Sequence, residues 1–391
     1  MRVLLVTDWT AEEGGVETYL AQLRAGLEQA GDEVRLLVSS LGSGARAADY
    51  VARGYRGAPA QSVAQLFNPA AARKLHEAVR AFRPDVLHVS SFELQLSPLA
   101  LRAARGVPIV HNIAWYKPLC PTGHKLRPDG SLCLVRRGRV CRHAGCLGPL
   151  RWARETGRYA LIDRALGRAA AILTCSAYMR ERLGSEGVHA LDLPWPVLLP
   201  APSFRWVPAQ TPLFAVAGRL SPEKGVETLV DALARLRGGG TDARVRLVGD
   251  GPARRAIVAL ARRLGVEDAV EITGWVRHAE VESHLGAAWA VIAPSLWAEP
   301  LGLSAVEAIV RGIPVVASAV GGYAETVEPG RTGLLFPNGD ASALASLLAD
   351  VASRRAFPDG VDAEQAGALA RRHDPGRHVA AMREIFARVV R

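Results

Sequence analysis

The feature of this sequence that most restricts its fold is an alternation that runs twice along the chain. Short apolar runs of strand length recur, separated by segments with helical spacing. The first round opens with Val3 to Val6, a turn containing Gly14 and Gly15, and then Val16, Leu20, Leu23 and Leu27 on one helical face. Residues from Glu33 to Val38, Asp85 to Val89, Val107 to His111 and Ala171 to Thr174 read as later strands of the same round. Pro194 to Pro212 holds six prolines and reads as a linker. The second round follows, with strands from Leu213 to Ala217, Val245 to Val248, Val270 to Thr273, Ala290 to Ala293 and Pro314 to Ala317. Strands joined through helices pair in parallel, because only a long crossover returns the chain to the same edge. The expectation is an α/β chain of two Rossmann-like domains facing each other across a cleft, with ligands at the carboxyl ends of the strands.

The expected domain limits are 1–200 for the first domain, carrying an insertion over 117–150, and 208–375 for the second. Residues 376–391 read as a helix that packs back on the first domain. At 391 residues the chain is long enough for two domains with separate cores. Its 49% hydrophobic and 22% charged residues exclude disordered and fibrous classes. The opening residues are too short and too soon charged for a signal peptide, and no apolar run reaches spanning length. The expected location is the cytoplasm, with the inner membrane face left open.

The net charge of +10 is concentrated: residues 117–168 carry 12 Lys/Arg against 3 Asp/Glu. Such a block suits phosphates or an anionic membrane face. It lacks the interleaved aromatics and motifs of nucleic-acid binders, so no nucleic-acid partner is expected. Only four of the 48 basic residues are lysines, so a lysine inside a motif stands out.

Two segments carry the chemistry. Gly218-Arg219-Leu220-Ser221-Pro222-Glu223-Lys224-Gly225 joins a strand to a helix and offers two cations to a diphosphate, Arg219 as a bidentate donor and Lys224 as a point charge. Glu299-Pro-Leu-Gly-Leu-Ser-Ala-Val-Glu307 places two acids eight positions apart. Within it Ser304 and Glu307 match a capping box, which would set the Gly302 and Leu303 amides at a helix N-terminus.

With Gly14-Gly15-Val16-Glu17 and Gly249-Asp250-Gly251-Pro252, these segments closely resemble the retaining glycosyltransferases of family 4. The resemblance covers nearly all of the C-terminal half and the first strand, loop and helix of the N-terminal half. It implies the GT-B fold and transfer of a sugar from a nucleotide diphosphate, UDP or GDP, to a hydroxyl acceptor, with retention and without a catalytic metal. In that resemblance Arg219 and Lys224 hold the diphosphate, Glu299 contacts the sugar and Glu307 the ribose. Gly302 and Leu303 assist through their amides, Gly274 and Val276 lie against the base, the loop of Gly14 and Gly15 covers the phosphates, and His111 faces the sugar. The acceptor class expected from the basic block is anionic, lipid-linked or small and hydroxylic, in glycan or glycoconjugate synthesis.

The insertion departs from the basic family pattern, although a subset with such cysteines resembles it. Cys120, Cys133, Cys141 and Cys146 are separated by 12, 7 and 4 residues, and only the last gap fits common zinc spacing. A structural zinc site, with His124 and His143 as reserve ligands, stands open beside an iron–sulfur cluster, paired cysteines or free thiols. Cys175, at a strand end, reads as a small buried residue. Two other functions share the fold: a nucleotide-sugar epimerase, and an inactive scaffold whose cysteine loop binds a partner. A dehydrogenase is disfavoured, because Gly249-Asp-Gly251-Pro-Ala-Arg254 lacks the last glycine of the dinucleotide fingerprint.

Overall fold

The computed structural model describes residues 1–8, 15–41, 45, 47–201 and 203–391. Gly14 lies outside the described residues. The chain divides into two compact units, Met1–Pro196 with Pro375–Arg391, and Val197–Asp374.

The first unit is built on a seven-stranded sheet in the order β3-β2-β1-β4-β5-β6-β7. Its strands are β1 (Arg2–Thr7), β2 (Glu33–Ser39), β3 (Tyr50–Ala52), β4 (Val86–Val89), β5 (Ile109–Ile113), β6 (Ala171–Thr174) and β7 (Leu191–Asp192). All pairings are parallel. Central strands such as β1 and β4 are buried almost throughout, as a sheet covered on both faces requires. The helix Gly15–Gln29 buries Tyr19, Leu20, Leu23 and Leu27, the apolar stripe of its sequence.

The closing helix Pro375–Val390 belongs to this unit and buries His378, Val379, Met382 and Phe386. Against Gly15–Gln29 the approach is so close that a Cβ on Gly26 would lie 2.4 Å from Val379 Cγ2. Tyr19 stacks on Trp195 at 4.2 Å, His378 meets the Tyr19 ring edge-on at 5.5 Å, and His378 Nδ1 lies 2.8 Å from the Pro194 carbonyl.

The second unit holds six strands in the order β10-β9-β8-β11-β12-β13. They are β8 (Leu213–Ala217), β9 (Arg244–Val248), β10 (Val270–Gly274), β11 (Ala290–Ala293), β12 (Val315–Ser318) and β13 (Gly333–Phe336), again all parallel. Helix Val226–Gly238 turns Val226, Leu229, Val230 and Leu233 into one face of the sheet's core. A second apolar layer, including Ile309, Val315 and Tyr323, covers the other face.

Three strands, β3, β7 and β13, are absent from the sequence reading. They are edge strands of two to four residues, too short to show a period against their surroundings. Strand β5 also sits two residues later than expected, so His111 is at its centre rather than its end. Among the described residues, no helix is long and apolar enough to cross a membrane.

Candidate active site

In the second unit the chain runs from β8 outward through β9 and β10, then returns to add β11, β12 and β13 on the other side. The reversal leaves β8 beside β11, and loops leaving such a pair diverge to opposite faces, opening a crevice at their carboxyl ends. The loop after β8 carries Arg219 and Lys224, and the loop after β11 carries Glu299.

A short 3₁₀ turn, Pro222–Lys224, ends the first loop before helix Val226–Gly238. Gly225 at that junction has φ +62°, and a Cβ there would stand 2.2 Å from the Pro294 carbonyl oxygen. Only glycine lets the two loops come this close. The amide of Leu296 donates to the Glu223 carbonyl at 2.9 Å and holds them together.

This approach sets Lys224 Nζ against Glu299 Oε1 in an ion pair. The same oxygen accepts from Trp297 Nε1 at 2.8 Å and Ser295 Oγ at 2.9 Å, and the carboxylate is only 8% exposed. Lys224 Nζ also lies 5.8 Å from the centre of the Trp297 ring. Burial pulls the Lys224 pKa down, but Glu299, joined by Tyr323 and Glu223, outweighs burial in sum, and the ammonium is held above its ordinary range.

Behind Glu299, the Tyr323 ring is buried and its hydroxyl lies 3.5 Å from Ser295 Oγ. Burial, with Glu299 nearby, pushes this phenol up to about 12, so it stays protonated as a donor. Gly302, with φ +80°, packs on the same ring, where a Cβ would meet Tyr323 Cε1 at 2.3 Å. Helix Leu303–Ile309 therefore starts directly after Gly302, with no side-chain cap. The capping box expected of Ser304 and Glu307 does not form. Ser304 is already helical, whereas a capping residue needs extended backbone ahead of the first turn. Glu307 is half-buried on that helix, and its carbonyl accepts from Arg311 at 2.9 Å.

The structure thus brings Lys224 and Glu299 into contact and puts Gly302 and Leu303 on the chain between Glu299 and Glu307. Arg219 is exposed on the β8 loop. Gly274 ends β10 with φ +77°, next to Asp250, and Val276 packs partly into the core.

The first unit repeats the arrangement, its reversal falling between β1 and β4. Asp8, directly after β1, accepts from the amides of Leu94, Gln95 and Leu96 at 2.7 to 2.8 Å and so shapes the loop after β4. Beneath that loop Arg158, 1% exposed, donates to the Glu93 carbonyl at 2.7 Å and to Glu155 at 2.6 Å. Burial next to Asp8 raises the Glu93 carboxyl to about 8.

His111 is 2% exposed and packs against Phe92, ring centres 5.0 Å apart. Burial holds its imidazole down at about 3, and the Val89 backbone offsets this only in part. The ring is therefore neutral, and apart from the Val89 backbone neither nitrogen meets a hydrogen-bond partner among the described residues. Gly15 is exposed at the start of its helix.

Sequence reasoning missed Ser295, Trp297 and Tyr323 in one unit, and Asp8, Glu93 and Arg158 in the other. Ser295 and Trp297 stand just ahead of Glu299 and could have been found by extending that motif backward. Tyr323 follows the Gly321-Gly322 pair after a strand, a usable loop signal. Arg158 and Glu93, 65 positions apart, leave no local trace.

Comparison with known proteins gives the family of both units. Residues 14–193 match the family described as glycosyl transferase 4-like domain, and residues 205–367 match glycosyl transferases group 1. A GDP-mannose-dependent alpha-(1-6)-phosphatidylinositol monomannoside mannosyltransferase of Mycobacterium tuberculosis is 29% identical over 90% of this chain and 89% of its own. An alpha-D-kanosaminyltransferase of Streptomyces kanamyceticus is 36% identical, over 32% of either chain. Among solved structures, Anabaena HepE in complex with UDP and glucose superposes with a TM-score of 0.74, covering 99% of this chain and 100% of that one at 19% identity. The two matched domains together span most of the sequence, and both sheets have the Rossmann-like form. The chain is a GT-B glycosyltransferase of the family 4 type.

Proposed function

We propose that this enzyme transfers a sugar from a nucleoside diphosphate, UDP or GDP, to a hydroxyl acceptor with retention at the anomeric carbon. The observation that carries the reading is the Lys224–Glu299 pair at the strand ends where β8 meets β11. An ammonium kept cationic there, with Arg219 on the same loop, is placed to take the charge of a diphosphate. Departure of the nucleotide breaks the anomeric C–O bond and builds negative charge on the outer phosphate. Fixed cations and amides stabilise that charge most in the transition state. The bond to the acceptor oxygen then forms on the same face, and the acceptor's proton passes to the departing phosphate.

In this reading Glu299, held by Ser295 and Trp297, contacts the sugar and Glu307 the ribose. Leu303 and Gly302 supply amides, and Gly274 and Val276 flank the base. The roles that the resemblance implies for Gly14, Gly15 and His111 belong to the same proposal. A buried neutral imidazole whose only polar neighbour among the described residues is the Val89 backbone suits hydrogen bonding to a sugar hydroxyl better than proton abstraction.

For the acceptor, an anionic or lipid-linked hydroxyl compound is favoured. The first unit has a cavity of about 210 Å³ lined by Arg136, Arg137, Trp152, Tyr159, Glu155 and Asp163. Arg137 pairs with Asp163 and lies 4.3 Å over the Tyr159 ring, which gives an aromatic wall beside cationic groups. Synthesis of a glycan or glycoconjugate on the cytoplasmic side of a membrane fits such an acceptor.

A panel of UDP- and GDP-sugars tests the reading by thermal shift and by slow donor hydrolysis. A binding donor raises the melting temperature with its concentration. Stabilisation by one nucleotide series together with sugar release supports transfer. A protein that neither binds nor hydrolyses any donor would overturn it in favour of a scaffold, and conversion of a donor to its epimer would favour the epimerase.

A further inference from the structure

Cys120, Cys133, Cys141 and Cys146 come from separate parts of the insertion, yet all four line one small cavity. The backbone is arranged to hold them there. Leu126 and Leu132 form an antiparallel bridge, and the Cys133 amide donates to the Lys125 carbonyl at 2.7 Å. Cys141 lies on the short helix Arg139–His143, and its carbonyl accepts from Leu147 at 3.0 Å, which folds the Cys146 turn back beside it.

Two further observations bear on the cluster. Its four thiols are free, and Thr122 Oγ1 lies 3.1 Å from the Cys120 sulfur. Arg127 lines the same cavity, and its Nε is buried with no hydrogen-bond partner. This sets a cation beside the four thiols.

We propose that these four cysteines bind a single thiophilic, tetrahedral divalent ion of the zinc class. Among the described residues, no three His, Cys, Asp or Glu groups stand in preset metal-binding geometry. The thiols surround the cavity, and in this proposal they turn inward about their Cα–Cβ bonds to close on the ion. Each thiol gives its proton to solvent as it ligates, and the resulting dianionic centre is offset in part by Arg127. Soft sulfur ligands select this class over oxygen-seeking cations. The insertion, rich in Gly, Pro and Arg, gains from the ion the restraint that a larger apolar core would supply elsewhere.

The test is elemental analysis of untagged protein purified under reducing conditions. About one zinc per chain is expected, falling below about a tenth in Cys133→Ser and Cys146→Ser but kept in Cys175→Ser, whose thiol lies elsewhere in the core. Should the serine variants misfold by circular dichroism, wild-type protein stripped with a mercurial reagent and titrated with cobalt(II) gives an independent readout. A thiolate-to-cobalt charge-transfer band saturating at about one equivalent supports the site. Zinc under about a tenth of an equivalent with all five thiols titrating freely, two disulfides by mass spectrometry, or an iron–sulfur chromophore would each overturn it.

Discussion

Lys224 and Glu299, 75 positions apart, meet in an ion pair because their loops leave adjacent parallel strands, β8 and β11, and Gly225 lets those loops touch. The pair is partly buried rather than a surface salt bridge. Glu299 is enclosed by Ser295 and Trp297, while Lys224 retains an accessible edge.

Lys224→Ala is expected to lower turnover at least ~100-fold, the scale of losing one transition-state charge contact. Arg219→Ala should fall similarly. If both grip one diphosphate, the double variant loses less than the product of the single losses. Steady-state kinetics with the donor found in the thermal-shift panel measure all three. Unchanged turnover in Lys224→Ala would remove this loop from the chemistry.

Gly302→Ala separates backbone strain from collision. Gly302 and Gly312 have nearly equal positive φ, 80° and 79°, but a Cβ at Gly302 strikes the Tyr323 ring whereas one at Gly312 has nothing within 4 Å. Alanine at Gly312 should cost about 1 kcal/mol, and at Gly302 roughly 1–3 kcal/mol more. Urea denaturation of the two variants reads the difference. Equal losses would mean that Tyr323 yields without cost.

Glu93 predicts a stability slope with pH. Its carboxyl rises from 4.5 to about 8 on folding, so between these values the folded chain binds more protons than the unfolded one. Its contribution to stability is therefore present at low pH and lost as pH rises toward 8. His88 and His111, both lowered to about 3, act in the opposite sense below pH 6.5. The clean window is therefore from about 6.5 to 8. Glu93→Gln should flatten the slope there and melt higher than wild type at pH 8. Identical pH–melting curves for the two proteins would show that Glu93 is not held protonated.

Proton NMR of the product's anomeric signal decides the stereochemistry. Retention is expected, with the donor's configuration carried into the glycoside. Clean inversion would require a general base poised opposite the leaving group and would discard the front-face route.

The two sheets, the Arg219–Lys224 loop and the Glu299-to-Glu307 segment were legible in the sequence, because apolar periodicity and local spacing act within a few residues of each other. A buried parallel strand announces itself as an uninterrupted apolar run, as Val3 to Val6 and Ala290 to Ala293 do. Short edge strands carry no such run, and β3, β7 and β13 went unseen. What tertiary structure alone decided is strand order, which depends on pairing between distant segments and leaves no mark on either one. That order put β11 beside β8, and with it Glu299 beside Lys224. It also brought the Tyr323 ring onto Gly302, which started the next helix at Leu303 and overrode the capping box written locally at Ser304. Arg158 reached the Glu93 carbonyl in the same way. The sequence names the groups able to carry charge, but which of them share an environment depends on where the chain crosses over.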